Sequence, residues 1–474
     1  METFPYCNGL DAEQGGYLSV ALPEPEIARW FHDRFSGEIG HQELDRLDRL
    51  GTQSKGAFPV VFGIDEGDLS QTGWAAIFPE GVDPAVREAL GPLLDHRREQ
   101  ASSRWEQGYR ELTGATSYRP GESAEHFLRQ FGVGIGDRVN PRMLPYHLLL
   151  VGGPEHIPYE VQHELGISHA VGRLDLPSPE AYARYAETVL AVEKGTTRRS
   201  RQAVFFGPAN PNDQATELSS RNLLKLADEL ATKPGLREWE LTTVLGPDAT
   251  RARLIGELSA SSRPALLMAA GHGVSFAKDL VSQRELQGAL VCQDWPGPLA
   301  APLIHREQYF AAEDLAREID LQGLVVFLFN CFGLGTPDRD DFYSLTPSAW
   351  RAAEMPFTAR LPQRLLQQGA LAVLGHVDRA WRTSFLTSGS GRAEDPSLFT
   401  ECLHPLMAGK PAGFSRESFA ARWTGLSALI TGRLQAERRG EPVDLRDYSR
   451  LGLPAIDARN YVLLGDPATR LVVS

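Results

Sequence analysis

Short, continuously apolar runs recur through most of this 474-residue chain, and each ends in glycine or a small polar residue. Runs of this kind are typical of strands buried on both faces, as in a parallel sheet covered by helices. Stretches with helical spacing separate them, and alternating strands and helices imply βαβ crossovers. The sequence therefore predicts an α/β fold with a doubly wound, mostly parallel sheet and helices on both faces. The runs are Pro145–Gly153, Ala203–Asn210, Ala265–Gly273, Gly323–Cys331, Gly369–Asp378 and Asn460–Pro467.

The first 140 residues lack this alternation. We expect residues 1–140 to form an α+β region of unknown role packed against the main sheet, and residues 141–474 to form the main domain. Gly121–Asn140, which is rich in glycine and charge, is the predicted boundary. The helices predicted in the main domain are Pro179–Lys194, Glu217–Leu230, Asp248–Leu258, Ala312–Ile319 and Leu361–Gln368.

Charge and composition exclude several classes of function. The 48 Lys and Arg against 61 Asp and Glu give a net charge of −13, which argues against nucleic acid or an anionic membrane surface as a partner. The N-terminus does not resemble a secretory signal, and no apolar run is long enough to span a membrane, so we expect a cytoplasmic protein. Without a phosphate-binding glycine loop or cysteine and histidine residues at zinc-ligand spacing, we expect no cofactor and no metal.

Two of the predicted strands end in reactive side chains. His272 lies between Gly271 and Gly273, and Cys331 closes a later run. Because the carboxyl ends of neighbouring parallel strands meet at one edge of a sheet, an imidazole and a thiol there could meet. The imidazole would take the thiol proton, and the N–H groups of Gly273 and Cys331 could form an oxyanion hole.

A structural interpretation of the same residues stays open. A buried cysteine often packs as a small hydrophobic residue, and Gly-His-Gly is compatible with an ordinary turn. The position of His272 and Cys331 at the ends of two successive buried strands favours catalysis. Cys7, Cys292 and Cys402 lack such a setting.

The ordered set of motifs resembles the caspase-like (clan CD) cysteine peptidases, which include gingipains, caspases and CHAT proteases, and it is most similar to the gingipain-type and CHAT-type peptidases. The similar segments are PYHLLLVGGPEHIPY, AVGRLDLPSPEAYARYAETVLAVEK, the GHG strand end, the strand ending in cysteine, GALAVLGHVDRAW and NYVLLGDPATRL. The resemblance runs from Pro145 to the C-terminus and implies a caspase-like fold. It also implies that His272 is the catalytic histidine, Cys331 the nucleophile, Gly273 an oxyanion-hole residue and Trp381 a wall of the substrate pocket.

Acidic residues near the predicted pocket favour a substrate with a basic residue before the cleaved bond. Glu160 and Glu164 follow the first run of the main domain, and Asp378 follows the strand after the nucleophile. Arg379 keeps the reverse preference, for an acidic residue, open.

The sequence thus predicts a cysteine endopeptidase that cleaves proteins or peptides through a thioester, with an upstream protease or regulator as a further partner. The resemblance implies a role in bacterial proteolytic or antiviral defence, and the basic stretch 198–201 is a candidate site for an activating cut. One alternative is an inactive scaffold that binds protein partners, which is suggested by Asn330 where many relatives have alanine. Another is acyl transfer or amide hydrolysis on a small molecule.

Overall fold

A computed structural model describes residues 7–13, 15–18, 23–38, 60–277, 281–301, 303–342, 351–386 and 393–474. The strands are β1 (Gly9–Asp11), β2 (Trp74–Ile77), β3 (Tyr109–Leu112), β4 (His147–Val151), β5 (Ala170–Leu174), β6 (Ser200–Gly207), β7 (Glu240–Leu245), β8 (Pro264–Ala270), β9 (Gly273–Ser275), β10 (Leu290–Val291), β11 (Tyr309–Phe310), β12 (Val325–Phe329), β13 (Gly335–Thr336), β14 (Phe357–Thr358), β15 (Ala372–His376) and β16 (Tyr461–Gly465). The α-helices are α1 (Glu24–Glu38), α2 (Leu69–Thr72), α3 (Pro84–Ala89), α4 (Gly91–Ala101), α5 (Ala124–Arg129), α6 (Tyr159–Leu165), α7 (Pro179–Glu193), α8 (Gln214–Ala231), α9 (Arg251–Leu258), α10 (Val281–Leu286), α11 (Arg360–Gln367), α12 (Ser397–Met407), α13 (Glu417–Arg438) and α14 (Arg446–Arg459).

Ten of these strands form one sheet in the order β3-β2-β4-β5-β16-β15-β12-β8-β6-β7. Neighbouring strands are parallel except β15 and β16, which run antiparallel. The sheet therefore has two parallel halves of opposite direction, and the carboxyl ends of their strands lie at opposite edges. The predicted α/β fold, with a mostly parallel sheet flanked by helices, is confirmed.

The central strands are buried along their whole length, which explains their continuous apolar sequences. Every residue of β8, β12 and β15 is buried. Phe327 of β12, for example, packs against Phe399 of α12 and Phe419 of α13. A strand covered on both faces has no polar face to present to water, so hydrophobic burial determines its sequence at every position.

The first 140 residues contribute directly to this sheet, which corrects the expected division at residue 140. Strand β2 is fully buried and pairs in parallel with β3 on one side and β4 on the other. The Trp74 side chain donates a hydrogen bond of 2.9 Å to Asp466, and Arg97 forms an ion pair of 2.7 Å with the same carboxylate. The strands of residues 74–112 thus belong to one half of the sheet and are tied to the far end of the chain.

The predicted helices other than Ala312–Ile319 are confirmed, with small shifts at their ends. Residues Ala312–Asp314 form only a short 3-10 turn. The Asp314 carboxylate accepts the N–H of Ala311 and pairs with Arg251 and Arg306, so it stabilises a turn in place of a continuing helix. None of the helices described by the structure is both long enough and apolar enough to cross a membrane.

A second, smaller sheet lies beside the carboxyl edge of β8 and β12. Its order is β1-β9-β10-β11. Strand β9 follows His272 directly, and β1 pairs with it in parallel, with Gly9 opposite Gly273. The N-terminal segment of the chain therefore lies next to the predicted reactive residues.

Candidate active site

Strands β8 and β12 bring His272 and Cys331 to the same edge of the main sheet. Ala270 pairs with Phe329 at the ends of these strands, and each reactive residue follows two positions later. The N–H of Gly271 donates to the carbonyl of Phe329 at 3.1 Å, which keeps the two strand ends together. The structure therefore places these two predicted site residues side by side, as the topology required.

The backbones after these two strands approach each other so closely that only glycine fits after His272. A Cβ atom at Gly273 would lie 1.9 Å from the carbonyl oxygen of Cys331. The N–H groups of Gly273 and Cys331 both donate to one oxygen atom, the carbonyl of Asn8, at 2.9 Å each. The two donors predicted from the sequence thus converge on a single point, as an oxyanion hole requires.

His272 has a partner that the sequence reasoning missed. Its Nε2 lies 2.5 Å from Oδ2 of Asp213, and both side chains are buried. Burial alone would raise the pKa of the Asp213 carboxyl, but His272, with hydrogen bonds from Ala215 and Thr216, brings that pKa below its usual value. Nδ1 of His272 has no hydrogen-bond partner among the described residues.

The sequence feature that indicates a role for Asp213 is its position after a buried strand. It follows β6, which lies beside β8 in the sheet, and its side chain caps α8 by accepting the N–H of Ala215. An acidic residue beyond the carboxyl end of a strand next to the histidine strand was therefore the feature to look for.

Two aromatic rings hold the His272 imidazole in place. Tyr17 lies 5.6 Å away between ring centroids, and Trp295 lies 5.9 Å away in an edge-on arrangement. The Tyr17 hydroxyl also donates to Oδ1 of Asp213 at 3.1 Å. These contacts leave the ring little freedom to turn away from Asp213.

Cys331 is completely buried. Its Sγ accepts the N–H of Ala380 at 3.2 Å. Burial raises the pKa of the Cys331 thiol well above its ordinary value, and the neighbouring Cys7 thiol acts in the same direction. The next residue, Phe332, has a φ of 57°, which is strained for a bulky side chain. A sharp reversal therefore follows the cysteine, and burial disfavours the thiolate form of Cys331 in this arrangement.

Trp381 lies at the site through its backbone. It forms an antiparallel bridge with Cys7, and its N–H donates to Oδ1 of Asp457 at 2.9 Å. The hydroxyls of Thr383 and Ser384 donate to the other oxygen of Asp457. One buried carboxylate thus fixes the loop that faces Cys331 from the β15 side.

The Asp378 carboxylate forms its hydrogen bonds inside the protein. It accepts the N–H groups of Arg379 and Asp341. Burial raises the pKa of the Asp378 carboxyl well above its usual value, and Asp341 and Asp340 add to the shift. Despite this acidic cluster, no group of three or more His, Cys, Asp or Glu in the described ranges is arranged to hold a metal ion.

Glu160 and Glu164 were predicted to line the substrate pocket, and that role stays a prediction. Both lie on α6, after β4, and three strands separate β4 from β12. Strands are spaced about 4.8 Å apart, so β4 is roughly 19 Å from β12. β4 ends at the opposite edge of the sheet, but α6 leads from there back to the edge at which β5 begins. Glu160 is among the charges that raise the pKa of Arg459, which pairs with Asp341.

The basic stretch 198–201 is not an exposed loop. Strand β6 begins at Ser200, and Arg199 is buried. The Arg199 guanidinium donates to the carbonyls of Pro264, Asp320 and Gln322. Arg199 thus joins strands within the protein, whereas Arg198 beside it is exposed, and the activating cut stays a prediction.

No protein-family model matches the sequence, and no curated protein matches it either. Among solved structures, the chain is similar to the complex of Porphyromonas gingivalis RgpB pro- and mature domains (13% identity, 84% of this chain and 79% of that chain covered, TM-score 0.42). It is also similar to a structure described as a protease (14% identity, 86% and 80% covered, TM-score 0.46). A third likeness is to the Saccharomyces cerevisiae separase–securin complex (12% identity, 95% of this chain but 27% of that chain covered, TM-score 0.33). Likenesses this distant assign no role to any residue.

Proposed function

We propose that this chain is a cysteine endopeptidase in which Cys331 is the nucleophile and His272 the general base and acid. One observation carries the proposal. The N–H groups of Gly273 and Cys331 both point at one carbonyl oxygen beside the Cys331 sulfur, at 2.9 Å each. Two preorganised donors on the oxygen of a peptide carbonyl next to a nucleophile are what acyl transfer needs.

The reaction follows from the positions of these groups. Cys331 Sγ attacks the substrate carbonyl carbon as its proton passes to Nδ1 of His272, and the two N–H groups stabilise the negative oxygen. The imidazolium then gives the proton to the departing amine, leaving a thioester on Cys331. Water, activated by His272, hydrolyses the thioester to a free carboxylate. Asp213, bonded to Nε2, stabilises the positive imidazole in both steps.

Strand edges on both sides of the cleft favour an extended peptide as the substrate. Strand β9 pairs with β1, and from the other side Trp381 bridges to Cys7, two residues before β1 begins. A small-molecule amide would leave these main-chain groups without partners, so peptide or protein substrates fit better. The cytoplasmic location and the role in bacterial or antiviral defence stay predictions from the sequence.

The burial of Cys331 favours a second candidate function, an inactive scaffold that binds protein partners. In that case the thiol stays protonated and covered. Asn330, the departure that suggested this alternative, donates from its side chain to the carbonyl of Gly288 at 2.7 Å. Its role is therefore to hold the loop before β10, and it does not alter the groups that face the cleft.

Peptide cleavage by full-length variants separates the two candidates. A Cβ at Gly9 would lie 2.8 Å from Cys331 Sγ, so Gly9→Ala displaces the segment that covers the sulfur. We expect this variant to cleave a mixed peptide library at neutral pH. Adding Cys331→Ala should abolish cleavage, whereas adding Cys402→Ala, which changes another buried cysteine, should not. Unchanged cleavage after Cys331→Ala, or no cleavage by Gly9→Ala, would contradict the proposal.

A further inference from the structure

The N-terminal segment lies in the cleft as an extended peptide with strand contacts on both sides. The N–H of Asn8 donates to the carbonyl of Ala380 at 2.8 Å, and Cys7 bridges with Trp381. From Gly9 onward the segment pairs with β9. Residues 7–13 and 15–18, which we call the strap, therefore run between the two edges that the proposed function assigns to substrate.

The carbonyl group of Asn8 occupies the position that the proposed reaction requires of the bond to be cut. Its oxygen accepts both predicted oxyanion donors. The following residue, Gly9, lies against the nucleophile, since a Cβ there would be 2.8 Å from Sγ and 2.9 Å from Cβ of Cys331. Glycine is thus required after Asn8, and the Asn8–Gly9 peptide bond lies between the oxyanion donors and the sulfur.

The Asn8 side chain is completely buried, with two acceptors at its amide nitrogen and no hydrogen-bond partner for its Oδ1 among the described residues. Its Nδ2 donates to Oγ of Ser219 at 3.1 Å and to the carbonyl of Gly271 at 3.2 Å. The Ser219 hydroxyl donates its own proton to the carbonyl of Ala215, so it is an acceptor toward Asn8. An aspartate would bring a carboxylate against two acceptors, with Asp213 on the adjoining loop, and would be repelled.

Further contacts keep the strap in place. Tyr17 donates to Asp213 and packs against His272, so the strap touches both members of the histidine–carboxylate pair. Arg379 donates to the carbonyl of Leu18. Leu10 and Tyr17 bridge to each other, so the strap folds back on itself across the cleft.

We propose that the strap is a built-in substrate: the chain holds its own site closed and opens it by cutting between Asn8 and Gly9, and the site accepts asparagine before the cleaved bond. This rests on the proposed function and replaces the preference for a basic residue expected from the sequence. Cys331 Sγ forms a bond to the Asn8 carbonyl carbon while the C–N bond to Gly9 breaks. The thiol proton passes through His272 to the Gly9 nitrogen, and water then releases residues 1–8 with a carboxylate on Asn8.

Intact mass and N-terminal sequencing of the full chain test the cut. We expect purified wild type, kept reduced at neutral pH, to convert to a chain that begins at Gly9, and Cys331→Ala to stay whole. Cys331→Ala also controls for spontaneous chemistry at the Asn8–Gly9 sequence, because such chemistry does not need the Cys331 thiol. Asn8→Asp should slow the conversion at least about tenfold, because two buried hydrogen bonds are lost. Asn140→Asp, at an exposed asparagine, should convert like wild type.

Peptides separate failure of this inference from failure of the proposed function. Gly9→Ala is offered TFPYCNGLDAE, which copies residues 3–13, and versions with Asp, Ala or Arg in place of Asn. Preferred cleavage of the asparagine peptide supports the inference. Two results would overturn the inference and leave the proposed endopeptidase function intact. One is cleavage only of a peptide without asparagine. The other is a wild-type chain whose Asn8–Gly9 bond persists while Gly9→Ala is active. If no peptide is cut and the chain stays whole, the proposed function itself is wrong.

Discussion

The Asp213 carboxylate and the His272 imidazole form a hydrogen bond of 2.5 Å although they lie 59 residues apart in the chain. The bond joins the ends of two neighbouring strands, β6 and β8, and both side chains are buried. It engages Nε2 and leaves Nδ1 without a partner among the described residues. A fixed imidazole with one unpaired nitrogen is suited to moving a proton between Cys331 and a departing amine.

Asp213→Asn should impair the chemical step and spare substrate binding. The neutral amide no longer stabilises the imidazolium, so we expect kcat for the Gly9→Ala background to fall about 10²–10⁴-fold with KM nearly unchanged. Steady-state kinetics on the asparagine peptide measure both. Asp444→Asn, at an exposed carboxylate that accepts the N–H of Arg446, is the control and should change neither. A rise in KM at unchanged kcat would mean that Asp213 acts on substrate binding instead.

Ser219→Ala should weaken the preference for asparagine. The change removes one of the two acceptors for the Asn8 amide, which is worth about 1 kcal/mol, or about fivefold in kcat/KM. Cleavage of the alanine-substituted peptide, which never used this hydrogen bond, should be unaffected. An equal loss on both peptides would indicate that Ser219 only supports the local structure.

The reactivity of Cys331 should depend on pH in a way that reports the strap. Burial raises the pKa of this thiol, so the thiolate forms only at high pH. In the uncut chain, which intact mass distinguishes from the product that begins at Gly9, alkylation of Cys331 by iodoacetamide should therefore still be rising above pH ~9, beyond the ordinary thiol value of about 8.5. In Gly9→Ala the curve of alkylation rate against pH should move to lower pH. Each unit by which the pKa of Cys331 falls should raise the rate at neutral pH about tenfold. Gly256→Ala, at a site with open space around it, should match wild type. Superimposable curves for all three would show that the strap does not control the sulfur.

Arg97 should contribute far more to stability than its neighbour Arg98. Arg97 is buried and pairs with Asp466, which is also buried, whereas the Arg98 side chain is 46% exposed. Arg97→Ala leaves a buried carboxylate unpaired and should lower the free energy of unfolding by about 3–5 kcal/mol. Arg98→Ala should lower it by no more than about 1 kcal/mol. Urea unfolding curves of the two variants measure both free energies of unfolding. Equal losses of stability in the two variants would contradict a stabilising role for the ion pair between Arg97 and Asp466.

The same cluster should make the fold sensitive to acid. Burial alone would raise the pKa of the Glu193 carboxyl, but Arg97 and His96 hold it well below its usual value. A carboxyl with a lowered pKa in the folded state stabilises the protein above its unfolded pKa of about 4.3, and this stability is lost as the pH falls further. The free energy of unfolding should thus decline below pH ~4, less steeply in Glu193→Gln. Identical slopes for the variant and wild type would contradict this assignment.

The parts of the fold that followed from sequence are those fixed by local pattern. Burial on both faces requires an apolar residue at every position, so β8, β12 and β15 could be recognised from their composition. The ends of β8 and β12 could also be placed together, because parallel neighbours share an edge. This was sufficient to bring His272 and Cys331 side by side.

The remaining features depend on contacts between distant segments, which no local pattern encodes. Strand β16 inserts beside β15 and reverses the direction of half the sheet, and nothing in the local sequence of either strand indicates this. The strap has only a three-residue strand, Gly9–Asp11, held by loops more than 250 residues away. Asp213 lies in an irregular loop and becomes significant only through its contact with His272.

Labelling with an electrophilic peptide tests the proposed catalytic pair most directly. Peptides that end in a cysteine-reactive group after Asn, Asp, Arg or Ala are added to Gly9→Ala at neutral pH, and the modified residue is identified by mass spectrometry. We predict modification of Cys331 alone, lost in the His272→Ala double variant and kept when Cys402→Ala is added. Modification of Cys292 or Cys402 in place of Cys331, or equal labelling of Cys331 with and without His272, would contradict the account.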